Sequence, residues 1–277
     1  MTGATGMLGH KVAAAAHAAG HGVVTADHAK CDLTDADATT AFVASVAPEA
    51  IVNCAAYTDV DAAEEHEAVA LRVNADAAGN VARAGAAAGA RIVHLSTDYV
   101  FDGVNDRPWL ESDRPSPLGA YGRTKLAGEA QVALATPEHA IVRTAWLFGV
   151  GGPNFVDTML RLAAGHDEVA VVTDQTGSPT WTGHLAPALV ALAAEVRQTG
   201  VFHGAGGGQA TWHGLAAETF TRAGVACRAT ATTSDAFKRP APRPAWSVLG
   251  TERDPGVRLP PWTQGLQGHL DEIKESA

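Results

Sequence analysis

Met1-Thr2-Gly3-Ala4-Thr5-Gly6-Met7-Leu8-Gly9 opens the chain and carries the spacing T-G-x-x-G-x-x-G. Glycines at this spacing let the backbone approach a pyrophosphate closely. The helix that follows turns its free N–H groups and positive dipole end toward that charge. Alone the pattern is weak, because Gly-rich turns without a ligand are common. Its working place is the carboxyl end of a strand, yet only Met1 precedes Thr2 here. A mid-sheet strand is paired on both sides, so its loss would cost several kcal/mol against a margin of about 5–15 kcal/mol. We therefore expect Met1 to be a valine of that strand, V-T-G-A-T-G, read as a start from a GTG codon. In-frame upstream codons for several apolar residues would support this, and an immediate stop would refute it.

Outward from that turn, strands alternate with helices. A helix is expected from Lys11 to Ala19, a strand over Gly22–Asp27, and a helix from Leu33 to Val46 with Thr34 or Asp35 as N-cap. Pro48–Cys54 reads as a loop entering a buried strand, followed by an Ala-rich helix from about Asp61 to Ala78 and another to Ala88. Strands at Arg91–Thr97 and Ala140–Thr144 flank a helix over Tyr121–Ala135. Such alternation predicts an α/β fold, a Rossmann-type doubly wound parallel sheet whose first strand is missing from the chain. Beyond Trp146 the chain is richer in Gly, Pro and Trp, with a strand at Val169–Val172, a helix from His184 to Val196 and another after Thr211. Residues 1–146 are thus expected to form a dinucleotide-binding domain to which 181–204 return. Residues 147–180 and 205–277 are expected to form a smaller substrate lobe.

Composition removes other classes. With 277 residues, 46% apolar and 18% charged, the chain can bury a full core. A net charge of −10 argues against nucleic acid or anionic membrane as partner, while leaving room for a small anionic ligand. Cys31, Cys54 and Cys227 form no C-x-x-C and fit reduced thiols in a cytoplasm. No secretion signal opens the sequence, and the apolar stretch Leu185–Ala194 is too short for a bilayer and holds Pro187. His17 and His21 straddle the expected helix stop at Gly20, no H-E-x-x-H occurs, and no metal is expected.

Tyr121-Gly122-Arg123-Thr124-Lys125 is the sharpest local signal, Y-x-x-x-K at a helix start. Residues four apart share a helical face, so phenol and ammonium can face one cleft. The cation is expected to lower the phenol pKa and make proton exchange practical. Twenty-four residues before Tyr121, Thr97 in Ser96-Thr97-Asp98 places a hydroxyl at a strand's carboxyl end, where open α/β sheets bind ligands. Glycine turn, strand-end hydroxyl and Y-x-x-x-K, in that order, are the signature of the short-chain dehydrogenase/reductase superfamily.

The resemblance sharpens over nearly the whole chain. I-V-N-C-A-A-Y-T-D-V-D-A-A-E (51–64), S-T-D-Y-V-F-D-G (96–103), Y-G-R-T-K-L-A-G-E (121–129) and R-T-A-W-L-F-G (143–149) resemble the dTDP-4-dehydrorhamnose reductase family. So do N-F-V-D-T-M-L-R-L-A (154–163), D-Q-T-G-S-P-T (174–180) and R-P-A-P-R-P-A-W-S-V-L (239–249). The resemblance implies an NADH- or NADPH-dependent reductase of a dTDP-linked 4-keto-6-deoxyhexose. Tyr121 would donate a proton to the 4-keto oxygen, Lys125 would hold the nicotinamide ribose, and Thr97 would hydrogen-bond the same oxygen, with Asp98 and Tyr99 nearby. Gly3, Gly6, Met7 and Leu8 would approach the pyrophosphate, Asp27 the adenosine ribose, and Asp32 and Leu33 the adenine. Ala55, Ala56, Thr58 and Leu95 would line the cofactor's other side. Trp146 would pack on the sugar, with Asn154, Gln175 and Arg243 toward the thymidine diphosphate. Asp27 suits an NAD ribose, and Lys30 could offset its charge toward NADP. A homodimer is a further implication. Some family members hold magnesium at a dimer contact through glutamates, but His10-Lys11 stand here and that site is not carried over. A non-catalytic NADP-binding subunit of the same fold is the alternative from another class.

Overall fold

The computed structural model describes residues 1–194 and 198–276. Its first half runs α1 (Met7–Ala18), α2 (Ala36–Val46), β1 (Ala50–Asn53), α3 (Ala62–Glu65), α4 (Glu67–Leu71), a π-helical turn (Arg72–Asp76) and α5 (Ala77–Ala87). Then come β2 (Arg91–Thr97), α6 (Ala120–Ala135), β3 (His139–Thr144), β4 (Leu147–Phe148), α7 (Phe155–Ala163) and β5 (Glu168–Val172). β6 (Thr176–Gly177), β7 (Thr180–Trp181), α8 (Thr182–Ala194), β8 (Gly200–His203) and β9 (Ala210–Thr211) follow. α9 (Trp212–Ala223), β10 (Arg228–Thr232) and α10 (Trp262–Ser276) complete the chain.

Parallel pairing sets the main sheet in the order β1-β2-β3-β8. Side chains alternate across it. Val52, Val93, Leu95 and Val142 pack with Leu8 and Val12 of α1 and with Leu185 and Leu189 of α8. Ile51, Ile92 and Ile141 pack on the other face with Val43 of α2, Val81 of α5 and Val132 of α6. Burial on both faces explains the near-continuous apolar strands.

Beside β1 the sheet continues through Thr2, which bridges Asn53 on one side and Ala26 on the other, both parallel. Thr2 N–H donates to Val52 O (3.1 Å), Cys54 N–H to Thr2 O (3.3 Å) and Ala26 N–H to Met1 O (2.7 Å). From Thr2 the chain winds first toward Ala26 and then back to β1, so strand order reverses there. That reversal point is where open α/β sheets leave a crevice for ligands.

Several expectations are corrected. The first helix starts at Met7, not Lys11, so the glycine turn leads straight into its first turn. Gly22–Asp27 forms no strand. Only Ala26 bridges, because Met1 and Thr2 are the residues lying alongside. The helix expected from Asp61 to Ala78 breaks at His66 (φ −123°, ψ 38°) and passes through the π-helical turn, a feature frequent near functional sites. There buried Asn74 accepts from Tyr57 N–H (2.8 Å) and donates to Thr124 Oγ1 (3.1 Å), tying α6 to the segment after β1. α8 begins at Thr182 rather than His184, and its expected end at Val196 lies outside the described residues.

Smaller sheets build the second half. β5 pairs with β10, β4 with β7, and β6 with β9. Phe148, Val156, Leu215 and Leu266 form one core there, with Met159, Val171 and Phe220 a second.

Candidate active site

A cleft of about 1130 Å³ runs along the carboxyl ends of the strands from Asp27 and Asp32 to Trp146 and Trp212. At its centre lies the glycine turn. Gly3 sits at φ +66°, and a Cβ there would stand 2.6 Å from Ala55 N and Cys54 C. A Cβ on Gly9 would lie 2.0 Å from Gly3 O. The turn is therefore compressed against β1's end as only glycine allows, leaving an open cradle at the start of α1. Gly6 caps α1 without a side-chain hydrogen bond, so that helix end keeps N–H groups available for an anion. These features fit the pyrophosphate of a dinucleotide.

Of the residues expected at the cofactor, Gly3, Gly6, Met7, Leu8, Asp27, Asp32, Leu33, Ala55, Ala56, Thr58, Leu95, Tyr121 and Lys125 all line this cleft. Asp27 and Asp32 lie at one end with His28, and neither lysine nor arginine lines that end among the described residues. Lys30 turns away: its ammonium donates to Thr25 O (3.0 Å) and Thr25 Oγ1 (3.3 Å).

β2 and α6 bring the reacting groups together. Thr97 ends β2, and its hydroxyl donates to Asp98 Oδ1 at 3.0 Å. The Thr97 hydroxyl also lies toward Tyr121, where it acts to lower the phenol's pKa, and the Tyr121 ring meets Tyr99 edge-on at 5.6 Å. Lys125, 2% exposed, donates from Nζ to Leu95 O at 2.6 Å. Burial brings its ammonium down to about 8, while Glu129 and Cys54 act to raise it. Tyr121 departs from the expectation. Burial pushes its phenol above the ordinary value, and the Thr97 hydrogen bond offsets only part of that. Lys125 directs its charge at Leu95 O instead. Burial likewise raises Asp98 to about 6, against the hydrogen bonds of Ser247 and Thr97.

The far wall is aromatic. Trp146 adopts φ +47°, a strained conformation for a bulky residue, and stacks on Trp212 with ring centroids 3.5 Å apart and planes 3° apart. Gly177 makes room for it, since a Cβ there would fall 2.4 Å from Trp146 Cε2. Trp212 was not legible as a site residue. It opens α9, 66 positions from Trp146, and only its Trp-rich neighbourhood hinted at a role.

Asn154, Gln175 and Arg243 stand outside the cleft lining. Asn154 caps α7, accepting from Asp157 N–H (2.9 Å) and donating to Gly149 O (3.0 Å). Gln175 accepts from Trp212 Nε1 (3.0 Å) and donates to Ser234 Oγ (2.8 Å), so it braces the aromatic wall. Arg243 forks onto Asp61 with Nη1–Oδ1 2.5 Å and Nη2–Oδ2 2.9 Å, and its charge holds the Asp61 carboxyl down at about 2. Arg239 joins the same carboxylate at 3.2 Å. The chain after β10 is thereby fastened to the loop after β1. Asp61→Asn and Arg243→Ala are expected to couple, with a double-mutant cycle by thermal denaturation giving about 0.5–3 kcal/mol. Additivity would show that the pair is screened out. No group of three or more metal-ligating side chains occurs among the described residues, and no described helix is long and apolar enough to cross a membrane.

A doubly wound sheet with a glycine turn at its switch point, and Thr97, Tyr121 and Lys125 in the same cleft, defines a Rossmann-like oxidoreductase of the short-chain dehydrogenase/reductase type. The family described as the RmlD substrate binding domain matches residues 1–275. A dTDP-4-dehydrorhamnose reductase of Mycolicibacterium smegmatis is 44% identical over 96% of this chain and 83% of its own length. The dTDP-4-keto-6-deoxy-D-glucose reductase of Streptomyces niveus is 43% identical over 96% of this chain and 94% of its own. Among solved structures, dTDP-4-dehydrorhamnose reductase of Bacillus anthracis in complex with NADP superposes with a TM-score of 0.95 at 34% identity, covering 98% of this chain and 97% of that one. The chain belongs to the dTDP-4-dehydrorhamnose reductase family.

Proposed function

We propose that this protein reduces the 4-keto group of dTDP-4-dehydro-β-L-rhamnose to dTDP-β-L-rhamnose with NADPH or NADH. The observation that carries the reading is the meeting of Thr97, Tyr121 and buried Lys125 in the one cleft that begins at the glycine turn. Residues 1–146 with 181–204 form the cofactor half, and 147–180 with 205–277 the substrate lobe. When bound, the dihydronicotinamide supplies the hydride to the keto carbon. Tyr121, kept protonated by its raised pKa, gives its proton to the oxygen as negative charge develops there. A sugar alkoxide is far more basic than a phenolate, so this transfer runs downhill. Thr97, on turning its hydroxyl from Asp98 Oδ1, donates toward the same oxygen and places a dipole where charge appears. Lys125 holds the ribose and adds positive potential, and Trp146 on Trp212 offers a flat apolar wall to the 6-deoxy face.

Steady-state oxidation of NADPH or NADH with dTDP-4-dehydro-β-L-rhamnose tests the reading, and absence of turnover with both cofactors overturns it. A second reading, reduction of another dTDP-4-keto-6-deoxyhexose, is favoured by the Streptomyces niveus relative, whose name carries a different ketosugar at 43% identity. Comparing kcat/KM on the two ketosugars separates them. Because Lys125 loses its proton as pH rises through about 8, cofactor affinity and kcat/KM are expected to fall above that pH. A flat profile to pH 9.5 would remove the ammonium from the mechanism. For Arg243 we propose a role at the nucleotide end. Arg243→Ala is expected to raise KM for the nucleotide sugar more than it lowers kcat, and an unchanged KM ends that assignment.

A further inference from the structure

One group of buried charges lies behind the reacting residues and takes no direct part in them. Glu129, one helical turn beyond Lys125 on α6, has a side chain only 7% exposed. Both of its oxygens are filled. Ser96 Oγ donates to Oε1 at 2.5 Å, Arg143 Nε to Oε1 at 2.9 Å, and Arg143 Nη2 to Oε2 at 2.7 Å. Arg143 stands opposite Ser96 in the β2–β3 register, and its guanidinium lies 5.2 Å from the centroid of the Phe101 ring. A pair this deep seldom adds net stability, because desolvating both charges costs as much as their attraction returns. Its connections suggest another role. Ser96 immediately precedes Thr97, and Lys125 sits on the same helix face as Glu129.

We propose that Glu129 is a positioning residue: bound to Ser96 and Arg143 and one turn from Lys125 on the same face of α6, it fixes the strand end that carries Thr97 and stands as the buried counter-charge to the Lys125 ammonium. Lys125 is buried and loses hydration, which favours the neutral amine. Two groups oppose that loss, Glu129 on its own helix and Cys54 after β1. Cys54 is itself pushed up to about 12 by burial, so its thiol is uncharged near neutral pH and Glu129 is left as the counter-charge. The remaining neighbours give no negative charge where it is needed. His94 on β2 is kept neutral by burial and by Lys125 itself, and the Met1 ammonium acts on Cys54 from the sheet. Tyr121 stays protonated, Asp98 lies beyond Thr97 with its carboxyl raised to about 6, and Arg143 on β3 spends its charge on Glu129. Asn74 and Thr124, at the packing of the π-helical turn on α6, are neutral.

The test compares Glu129→Gln, Glu129→Asp and the double variant Glu129→Gln/Arg143→Met, following NADPH binding by nicotinamide fluorescence across pH, kcat across pH, and thermal midpoint. The inference depends on the reductase reading only for Lys125 as the ribose contact, and NADPH binding is read without any ketosugar. In Glu129→Gln the alkaline loss of affinity is expected about one pH unit lower than in the wild type, with a lower thermal midpoint because Arg143 is left unpaired. The double variant is expected to recover much of the midpoint yet keep the displaced limb, and Glu129→Asp to stay nearest the wild type. Should Glu129→Gln not fold, the double variant carries the test. A folded variant lacking the Glu129 charge with its limb at the wild-type pH overturns the proposal. Loss of fold in both does so too, since the pair would then be a structural requirement.

Discussion

Tyr121→Phe is expected to lower kcat by about 10²–10⁴-fold, the usual contribution of a positioned general acid, while NADPH affinity stays close to the wild type. The substitution removes one hydroxyl and keeps the ring that packs edge-on with Tyr99. Lys125 is untouched because its ammonium donates to Leu95 O, not to the phenol. Single-turnover kinetics and a fluorescence titration of NADPH check the two halves separately. Retention of more than about a tenth of the wild-type rate, too small a loss for this role, would point to another acid. Asp98, whose carboxyl is raised to about 6 and hydrogen-bonded through Thr97, would be the first to test.

Gly3→Ala is expected to destabilise the fold and to abolish saturable NADPH binding. At φ +66° an L-residue is strained, and the new Cβ would meet the backbone of Cys54 and Ala55 at 2.6 Å. Those atoms directly follow β1, which is paired with β2, and Cys54 N–H is bonded to Thr2 O, so they cannot retreat without disturbing the sheet. Left-handed strain and overpacking together cost about 2–5 kcal/mol, or roughly 5–15 °C in thermal midpoint for a chain of this length. Relief can only come by moving the turn outward, into the space where the pyrophosphate would sit. Calorimetry and NADPH fluorescence measure the two effects. Wild-type affinity in a folded Gly3→Ala variant would place the pyrophosphate elsewhere.

Spacing rules that act within a few residues explain what could be read in advance. T-G-x-x-G-x-x-G marked a turn, and Y-x-x-x-K put Tyr121 and Lys125 on one face of α6, because both patterns depend only on local geometry. β1, β2 and β3 were legible because strands buried on both faces are apolar throughout. Gly22–Asp27 failed as a strand because a strand needs a partner of matching length, which its own sequence does not specify. The break at His66 was hidden by an Ala-rich run that suits helix on either side of it.

Local spacing along the chain therefore carries the doubly wound order of elements and singles out Gly3, Thr97, Tyr121 and Lys125 as candidates. Which distant residues meet is set only when the chain folds. Trp146 found Trp212, Asp61 found Arg243 across 182 positions, and Ser96 met Glu129 and Arg143 beneath the reacting groups. Folding also decided the direction of Tyr121's pKa. A cation four residues away promises a lower value on paper, but burial raises the cost of a phenolate, Asp98 and Tyr99 add to that cost, and Lys125 turns its ammonium to Leu95 O.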